Sequence, residues 1–464
     1  MANATKIAVI GGGPGGYVAA IRAAQLGAEV TLVEGGKLGG TCLNAGCIPT
    51  KALLHSAQLA DAIRNGAEFG VSAEPVIDFV KVQRQKEKIV KKLTGGVGML
   101  LKANKVSVLS GYASFRDSKT LAVKGESGET TLSADKIIIA TGSKPANLPI
   151  PGIDSPQCVD STGALRFESV PKSMAIIGGG VIGVELASIY SAFGSKITII
   201  EMEPEILPLM DSELVGMLRK ILVKKGIEIF VSAKLESIED AGDAAKVNVS
   251  LADKKIVLDA EKVLVSIGRR TNTDEIAMDA AGINNDRGRI TVDDSMRTNV
   301  PDIYAVGDCN GRTMLAHVAS AQGEIAAEHA MGHDAKYDAK TNTSCIYTKP
   351  EFASVGLSEN EAKRRGLQYI VGKFPLAANG KALISGGGEG VVKILADPKY
   401  GEILGLHILG AHATDMIAEG ALAIGLEATL NEIAGTIHAH PTVSEAVREA
   451  ALAAAGRAIH VPNQ

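Results

Sequence analysis

Short apolar runs recur along the chain and end at glycine: Ile7–Ile10 before Gly11, and Ala175–Ile177 before Gly178. Runs of that length without polar alternation predict buried strands. An Ala-rich helix over Gly16–Leu26 follows the first run, and a helix through Tyr190 follows the second. Further strands are predicted at Glu29–Val33, Lys136–Ala140, Lys196–Ile200, Val263–Ile267 and Ile303–Val306. The polar stretch His333–Ser344 reads as a linker. Beyond it, Phe352–Val355, Val391–Leu395 and Ile403–Ile408 predict strands of a separate assembly domain, with no strand–glycine turn–helix pattern like the first two among them.

The two glycine turns are a repeat. Gly11-Gly12-Gly13-Pro14-Gly15-Gly16 returns 167 residues later as Gly178-Gly179-Gly180-Val181-Ile182-Gly183. In both copies the next strand ends in a glutamate, Glu34 or Glu201, 23 positions after the first glycine. One such turn in a glycine-rich chain is weak. Two in the same strand–turn–helix context point to two dinucleotide sites. Gly11 and Gly178 allow the tight turn, Gly13 and Gly180 let the backbone approach a pyrophosphate, and Gly16 and Gly183 let helix and strand touch. Each helix N-terminus then faces phosphate charge. Glu34 and Glu201 would accept from an adenosine ribose and repel a 2′-phosphate, so the second site is expected to take NAD(H) rather than NADP(H). The plainer reading of either glutamate is a strand end in solvent.

Three more strand ends carry polar groups. Lys136–Ala140 leads into Thr141-Gly142-Ser143 and Val263–Ile267 into Gly268-Arg269-Arg270, both read as crossover exits beside a nucleotide. Ile303–Val306 leads into Gly307-Asp308; a buried Asp there needs donors that a sugar-alcohol chain would supply, unless it caps a helix.

Cys42 and Cys47 lie close enough to bridge if the loop between them turns. Pro49 fits the first turn of a helix through Ala52–Leu54, which puts Cys47 near a helix N-terminus, where the dipole favours thiolate. Half a zinc site, two unrelated thiols and a structural disulfide are the alternatives; the short loop makes the last a poor stabiliser. In His438-Ala439-His440-Pro441, Pro441 suits a helix start, with His440 just before it and Glu445 in its first turns. A carboxylate there could fix the tautomer of a general base; an exposed loop or an adventitious metal pair is the alternative.

Composition narrows the classes. At 464 residues the chain holds about three domains. Lys plus Arg (48) nearly balance Asp plus Glu (52), which argues against nucleic acid as a partner. The most apolar stretch, Ala175–Gly194, contains Glu185 and five glycines, so no membrane span is expected. No signal or transit peptide is expected, and no metal site. Five cysteines are too few for a secreted disulfide scaffold, so a cytoplasmic location is expected.

Taken together, these segments resemble the pyridine nucleotide-disulfide oxidoreductase family, most closely its lipoamide-linked members. The resemblance rests on both glycine turns, GGTCLNAGCIPTKALL (Gly39–Leu54), ATGS (Ala140–Ser143), YAVGD (Tyr304–Asp308), MLAH (Met314–His317), YTKPEFASVGLSE (Tyr347–Glu359) and HAHPTVSEA (His438–Ala446). It implies an α/β fold class: two Rossmann-like dinucleotide-binding domains, the NAD domain inserted in the FAD domain, plus a C-terminal α+β dimerisation domain. The implied bounds are 1–148 for the FAD domain, 149–271 for the NAD domain, 272–343 for a central return to the FAD domain and 344–464 for the interface domain. FAD would use Gly11, Gly13, Gly16, Glu34, Gly40, Thr41, Lys51, Ala113, Thr141, Gly142, Ser143, Asp308 and the Leu315, Ala316 and His317 backbone. NAD would use Gly178, Gly180, Gly183, Glu201 and Gly268.

The catalytic set implied by the resemblance is Cys42, Cys47, Lys51 paired with Glu185, and His440 with Glu445 reaching the partner subunit's disulfide in a homodimer. The implied reaction oxidises a protein-bound dihydrolipoyl group through a Cys42–Cys47 disulfide and reduces NAD+. Partners would be a lipoyl-bearing acyltransferase or the glycine cleavage H protein. Alternatives within this reading are an NADH-dependent reductase of another disulfide, or chiefly a docked subunit of a multienzyme complex. Asn379-Gly380-Lys381 and Gly386–Gly388 play no part in it.

Overall fold

The computed structural model describes residues 4–463. Its first sheet is parallel, in the order Ile303–Ala305, Lys136–Ile139, Lys6–Ile10, Glu29–Glu34, Ser107–Ser110. The second repeats that plan in the order Glu228–Phe230, Lys196–Ile200, Ser173–Ile177, Lys262–Val265, Cys158–Val159. The central strands are apolar on both faces because helices and a three-stranded antiparallel meander cover them, as parallel sheets require. The meanders are Tyr112–Ser133 and Lys234–Ala260.

The first glycine turn feeds the helix Pro14–Gln25, which starts two residues before the expected Gly16 because Pro14 is preset for a first helical position. The second turn feeds Val181–Phe193. Strand Ile303–Ala305 brings the chain back to the edge of the first sheet beside Lys136–Ile139. The expected linker is shorter than read: Thr343 and Ser344 pair with Val355 and Ser354 as the start of strand Thr343–Ile346. That strand opens an antiparallel sheet in the order Thr343–Ile346, Glu351–Gly356, Ile403–Gly410, Val391–Ala396, Ile370–Pro375. The helices Ala413–Gly425 and Glu445–Ala454 bury an apolar stripe on it.

One helix ties the three layers together. Cys47–Arg64 buries Leu53, Leu54 and Ala57 in a core that also takes Val184, Leu186 and Tyr190 from the second nucleotide helix and Ile346 and Phe352 from the third sheet. Each buried leucine contributes about 1.5–3 kcal/mol, so the start of this helix is held firmly. A second tie is ionic: Lys393 Nζ, fully buried in the third sheet, lies 3.0 Å from Asp211 Oδ2, 2.9 Å from Glu213 Oε2 and 2.6 Å from Glu359 Oε2. Among the described residues no helix is long and apolar enough to cross a membrane.

Candidate active site

The two glycine turns share one geometry. Gly11 has φ +104°, and a Cβ there would lie 2.4 Å from the Ala140 carbonyl oxygen; Gly178 has φ +107°, with Ser266 O at 2.5 Å. A Cβ on Gly16 would lie 1.8 Å from Gly11 O, and one on Gly183 2.1 Å from Gly178 O. Those four glycines are dictated by the protein's own backbone. The middle ones are not: a Cβ on Gly180 would meet no atom within 4 Å, and one on Gly13 only Gly40 Cα at 3.7 Å. Both are helix N-caps, so open space stands where unpaired amides collect.

The two glutamates also match. Glu34 accepts from the Gly12 N–H at 2.6 Å and the Gly36 N–H at 2.6 Å; Glu201 accepts from Gly179 at 2.6 Å and Glu203 at 2.7 Å. A carboxylate has further lone pairs for a ribose diol. At 9% exposure Glu201 is no solvent-facing strand end. Arg219 reaches this region from the helix Ser212–Lys224 but pairs with Glu205 at 3.2 Å.

Around the first turn, Gly40 packs so tightly that a Cβ on it would lie 2.6 Å from Gly13 Cα, which seats Thr41 and Cys42 beside the turn. Ala113 is buried in the adjoining meander. Asp308 caps no helix through its side chain; its Oδ2 accepts from Ser143 Oγ at 2.5 Å. Arg269 donates through Nε to Ser143 Oγ at 2.7 Å and through Nη2 to Ser143 O at 2.8 Å. Gln322, fully buried, accepts the Gly307 N–H at 2.8 Å through Oε1, while its Nε2 has no partner, and neither has Thr141 Oγ1. Leu315 is the N-cap of the helix Ala316–Ala330, and His317 Nε2 lies 2.9 Å from Thr343 O. Orphaned buried donors, an anchored carboxylate and two open helix N-termini fit a ligand with both phosphates and hydroxyls.

Cys42 lies in the short helix Gly40–Ala45 and Cys47 is the first residue of Cys47–Arg64. Both are thiols in this structure. The Cys42 S–H serves the Cys47 sulfur, which raises the Cys42 pKa and lowers that of Cys47 to about 7; the Lys51 ammonium also lowers it, against burial. Cys47 is therefore the thiolate of the pair. Among the described residues no His, Cys, Asp or Glu cluster completes a metal site with them.

Lys51, one turn along the same helix, places Nζ 2.7 Å from Glu185 Oε2. The other oxygen of Glu185, a residue only 3% exposed, accepts the Tyr347 N–H at 2.9 Å. The Lys51 ammonium also lies 4.4 Å from the centroid of the Tyr347 ring.

His440 and Glu445 pair at 2.9 Å through Nδ1 and Oε1, and Glu445 Oε2 accepts the Thr442 N–H at 2.8 Å. The helix begins at Glu445, not Pro441, because the Thr442 hydroxyl closes a turn onto Ala439 O at 2.7 Å. Burial pushes the Glu445 pKa up, but the Thr442 N–H and His440 outweigh it and hold the carboxyl below its ordinary range. His438 instead meets Glu419 at 2.8 Å. The His440 side chain is 81% exposed. The chain thus brings Cys42, Cys47, Lys51 and Glu185 together and leaves His440–Glu445 apart, facing outward.

Three residues here have no assigned role in the sequence reading: Tyr347, Gln322 and Arg269, the last named there only as part of an exit. Asn379, also unassigned, accepts the Ala382 N–H at 2.8 Å and donates to Thr442 O at 3.0 Å, bracing the His440 turn. Of these only Arg269 carried a sequence signal, an arginine at a strand exit, and its partners here are the Ser143 hydroxyl and carbonyl.

Comparisons with known proteins bear on this geometry. Residues 5–323 match the model of the pyridine nucleotide-disulphide oxidoreductase family, and residues 343–451 that of its dimerisation domain. The chain is 46% identical over 459 residues to a dihydrolipoyl dehydrogenase of Geobacillus stearothermophilus, covering 98% of this chain and 97% of the relative. It is 42% identical to the mitochondrial dihydrolipoyl dehydrogenase of Pisum sativum, covering 98% and 92%. Among solved structures, LpdA of Mycobacterium tuberculosis superposes with a TM-score of 0.91 at 26% identity, over 96% of this chain and 99% of that one. The HOCl-induced flavoprotein disulfide reductase RclA of Escherichia coli superposes at 0.86 and 29%, over 96% and 99%. With two matched turns and a thiol pair between them inside the first matched segment, and the third sheet matched by the dimerisation-domain model, the chain belongs to the pyridine nucleotide-disulphide oxidoreductase family.

Proposed function

We propose that the chain oxidises protein-bound dihydrolipoyl groups to lipoyl disulfides and passes the electrons to NAD+, working as a homodimer. The observation that carries this reading is the thiol pair: Cys47 heads a helix as the thiolate, Cys42 supplies the proton, and Lys51 faces the charge. The first site, with Gly11, Gly13, Gly16, Glu34, Gly40, Thr41, Lys51, Ala113, Thr141, Gly142, Ser143, Asp308 and Leu315–His317, would hold FAD. The second, with Gly178, Gly180, Gly183, Glu201 and Gly268, would hold NAD. Bound there, FAD supplies a two-electron acceptor for the reduced sulfur pair and NAD+ a hydride acceptor.

The chain's own residues handle the thiols. His440 of the partner subunit removes a proton from one substrate thiol, since thiolate is the attacking species. Glu445 of the partner subunit accepts from Nδ1–H, which leaves Nε2 free to take that proton. The substrate thiolate attacks Cys42 of the oxidised pair, and Cys47 departs as thiolate, a departure its lowered pKa favours. The second substrate thiol displaces Cys42, and its proton passes to the departing Cys42 sulfur, leaving the first proton on His440 of the partner subunit. The substrate sulfurs end as a disulfide and the cysteines as thiol and thiolate. The free thiols elsewhere in the chain fit a reducing, cytoplasmic setting, with a lipoyl-bearing acyltransferase or the glycine cleavage H protein as partner.

NADH formation from dihydrolipoamide and NAD+ is the assay. Cys47→Ser should abolish it, and His440→Gln should lower kcat by roughly 10²–10⁴-fold without changing the fold. Mixing Cys42→Ser chains with His440→Gln chains and re-forming dimers should restore turnover. Undiminished turnover in Cys47→Ser refutes the reaction, and no recovery in the mixed dimer refutes the shared site.

A further inference from the structure

The ion pair of Lys51 and Glu185 leaves one question open: what keeps a flexible ammonium in place beside a sulfur. Lys51 is 30% exposed in its side chain and sits on a four-carbon stem that could swing its charge into water. Tyr347 blocks that motion from two directions. Its N–H satisfies Glu185 Oε1 at 2.9 Å, so the buried carboxylate keeps Oε2 for Lys51 at 2.7 Å. Its ring presents a π face 4.4 Å from the ammonium, an electrostatic attraction that strengthens as water is excluded.

The ring is held from both sides. Tyr347 directly follows the strand Thr343–Ile346, and Ile346 is fully buried in the core that contains the Cys47 helix. Two residues on, Lys349 Nζ binds Asp61 Oδ2 at 2.9 Å, and Asp61 lies on the Cys47 helix itself. Lys225 of the second domain donates to Lys349 O at 2.9 Å. Glu185 comes from the second nucleotide helix, Lys51 from the Cys47 helix and Tyr347 from the residue just past the first strand of the third sheet. Burial lifts the Tyr347 phenol to about 12, so the hydroxyl stays neutral throughout the working range and the ring face is what Lys51 meets.

We propose that Tyr347 is a positioning residue of the redox centre: its ring and backbone N–H clamp Lys51 and Glu185 so that the third domain sets how strongly Lys51 stabilises the Cys47 thiolate. The inference rests on the proposed function only in requiring a reducible pair at Cys42 and Cys47.

The test is the pH titration of the thiolate, followed by its ultraviolet absorbance in the reduced holoprotein against a Cys47→Ser baseline. Tyr347→Phe keeps the ring and should leave the midpoint where wild type has it. Tyr347→Leu should raise the midpoint by roughly half a pH unit or more, which takes the thiolate fraction at about pH 7 from about one half to about one quarter or less. Pentafluorophenylalanine at 347, which keeps the shape but inverts the quadrupole, should shift it the same way and serves if the leucine variant does not fold. A midpoint unmoved by both the leucine and the fluorinated ring overturns the proposal. No Cys47-dependent absorbance change in wild type would overturn the redox reading itself.

Discussion

The two-turn geometry makes a prediction that separates folding from ligand binding within one six-residue segment. Consider alanine at Gly178, Gly180 and Gly183. At Gly178, φ +107° costs an L-residue about 1–2 kcal/mol, and the new Cβ would sit 2.5 Å from Ser266 O and 2.9 Å from Ser266 C. Those are backbone atoms of a strand exit and cannot swing aside, so overpacking adds about 1–3 kcal/mol. At Gly183 alanine gains roughly 1 kcal/mol of helix propensity, but its Cβ would lie 2.1 Å from Gly178 O and must push helix from turn. Both should lower the melting temperature of the apoprotein, Gly178→Ala by roughly 2–5 °C, since a chain this long shifts by only about 1 °C per kcal/mol.

Gly180 is different in kind. Its φ of −72° and ψ of 179° suit any residue, and a methyl group there would meet nothing within 4 Å. Alanine for glycine at an N-cap costs less than about 1 kcal/mol, or about 1 °C of melting at most. If a pyrophosphate approaches this backbone, however, that methyl occupies its place, and NADH affinity should fall at least tenfold, about 1.4 kcal/mol. Calorimetry without nucleotide reads the first quantity and NADH fluorescence titration the second. Unchanged NADH affinity in a well-folded Gly180→Ala protein would refute the assignment of the turn, and a Gly183→Ala protein as stable as wild type would refute the steric reasoning behind it.

The reduced sulfur pair should titrate with a midpoint at about 7, below the ordinary thiol value of 9, and Cys42→Ala should raise it because the Cys42 S–H contributes most to the lowering. The thiolate is then present above the midpoint and lost as pH falls through it; a wild-type midpoint at or above 9 would refute the pairing. Lys393→Met should destabilise by about 3–5 kcal/mol in denaturant unfolding, because Asp211, only 2% exposed in its side chain, loses its buried counter-charge. A second change, Asp211→Leu, should recover part of that loss, and no loss in the single variant would show that the cluster is electrostatically idle.

What the sequence discloses follows from where the decisive interactions lie. The turns are legible because their requirements are local: Gly16 must be glycine on account of Gly11, five residues away. The strand Lys196–Ile200 has the expected bounds because an apolar run between a helix and a glutamate admits little else. The long helix Phe79–Ala103 is not legible. Gly95, Gly96 and Gly98 interrupt its last third as breakers would, yet it continues because Val97 and Leu101 bury against the first domain and Gly98 sits close to Leu38. The outer strand of the first meander is equally silent, since Gly128–Ser133 is exposed along nearly its whole length and carries no alternating pattern to read.

The site divides on the same principle. Cys42 and Cys47 announce themselves by spacing, and the helix at Cys47 by Pro49. Nothing local ties Lys51 to Glu185, 134 residues away, or either to Tyr347; tertiary packing selects those partners. His440 marks the limit of what one chain can hold. Its Nδ1 is fixed by Glu445, so its orientation is settled, yet its side chain is 81% exposed, and among the described residues Nε2 has no partner. A base oriented with such care and aimed at solvent is incomplete until a surface meets it. The dimerisation domain that carries it is the element through which a second copy would bring it to a thiol pair. The mixed dimer of Cys42→Ser and His440→Gln chains decides whether that surface is the one that carries Cys42.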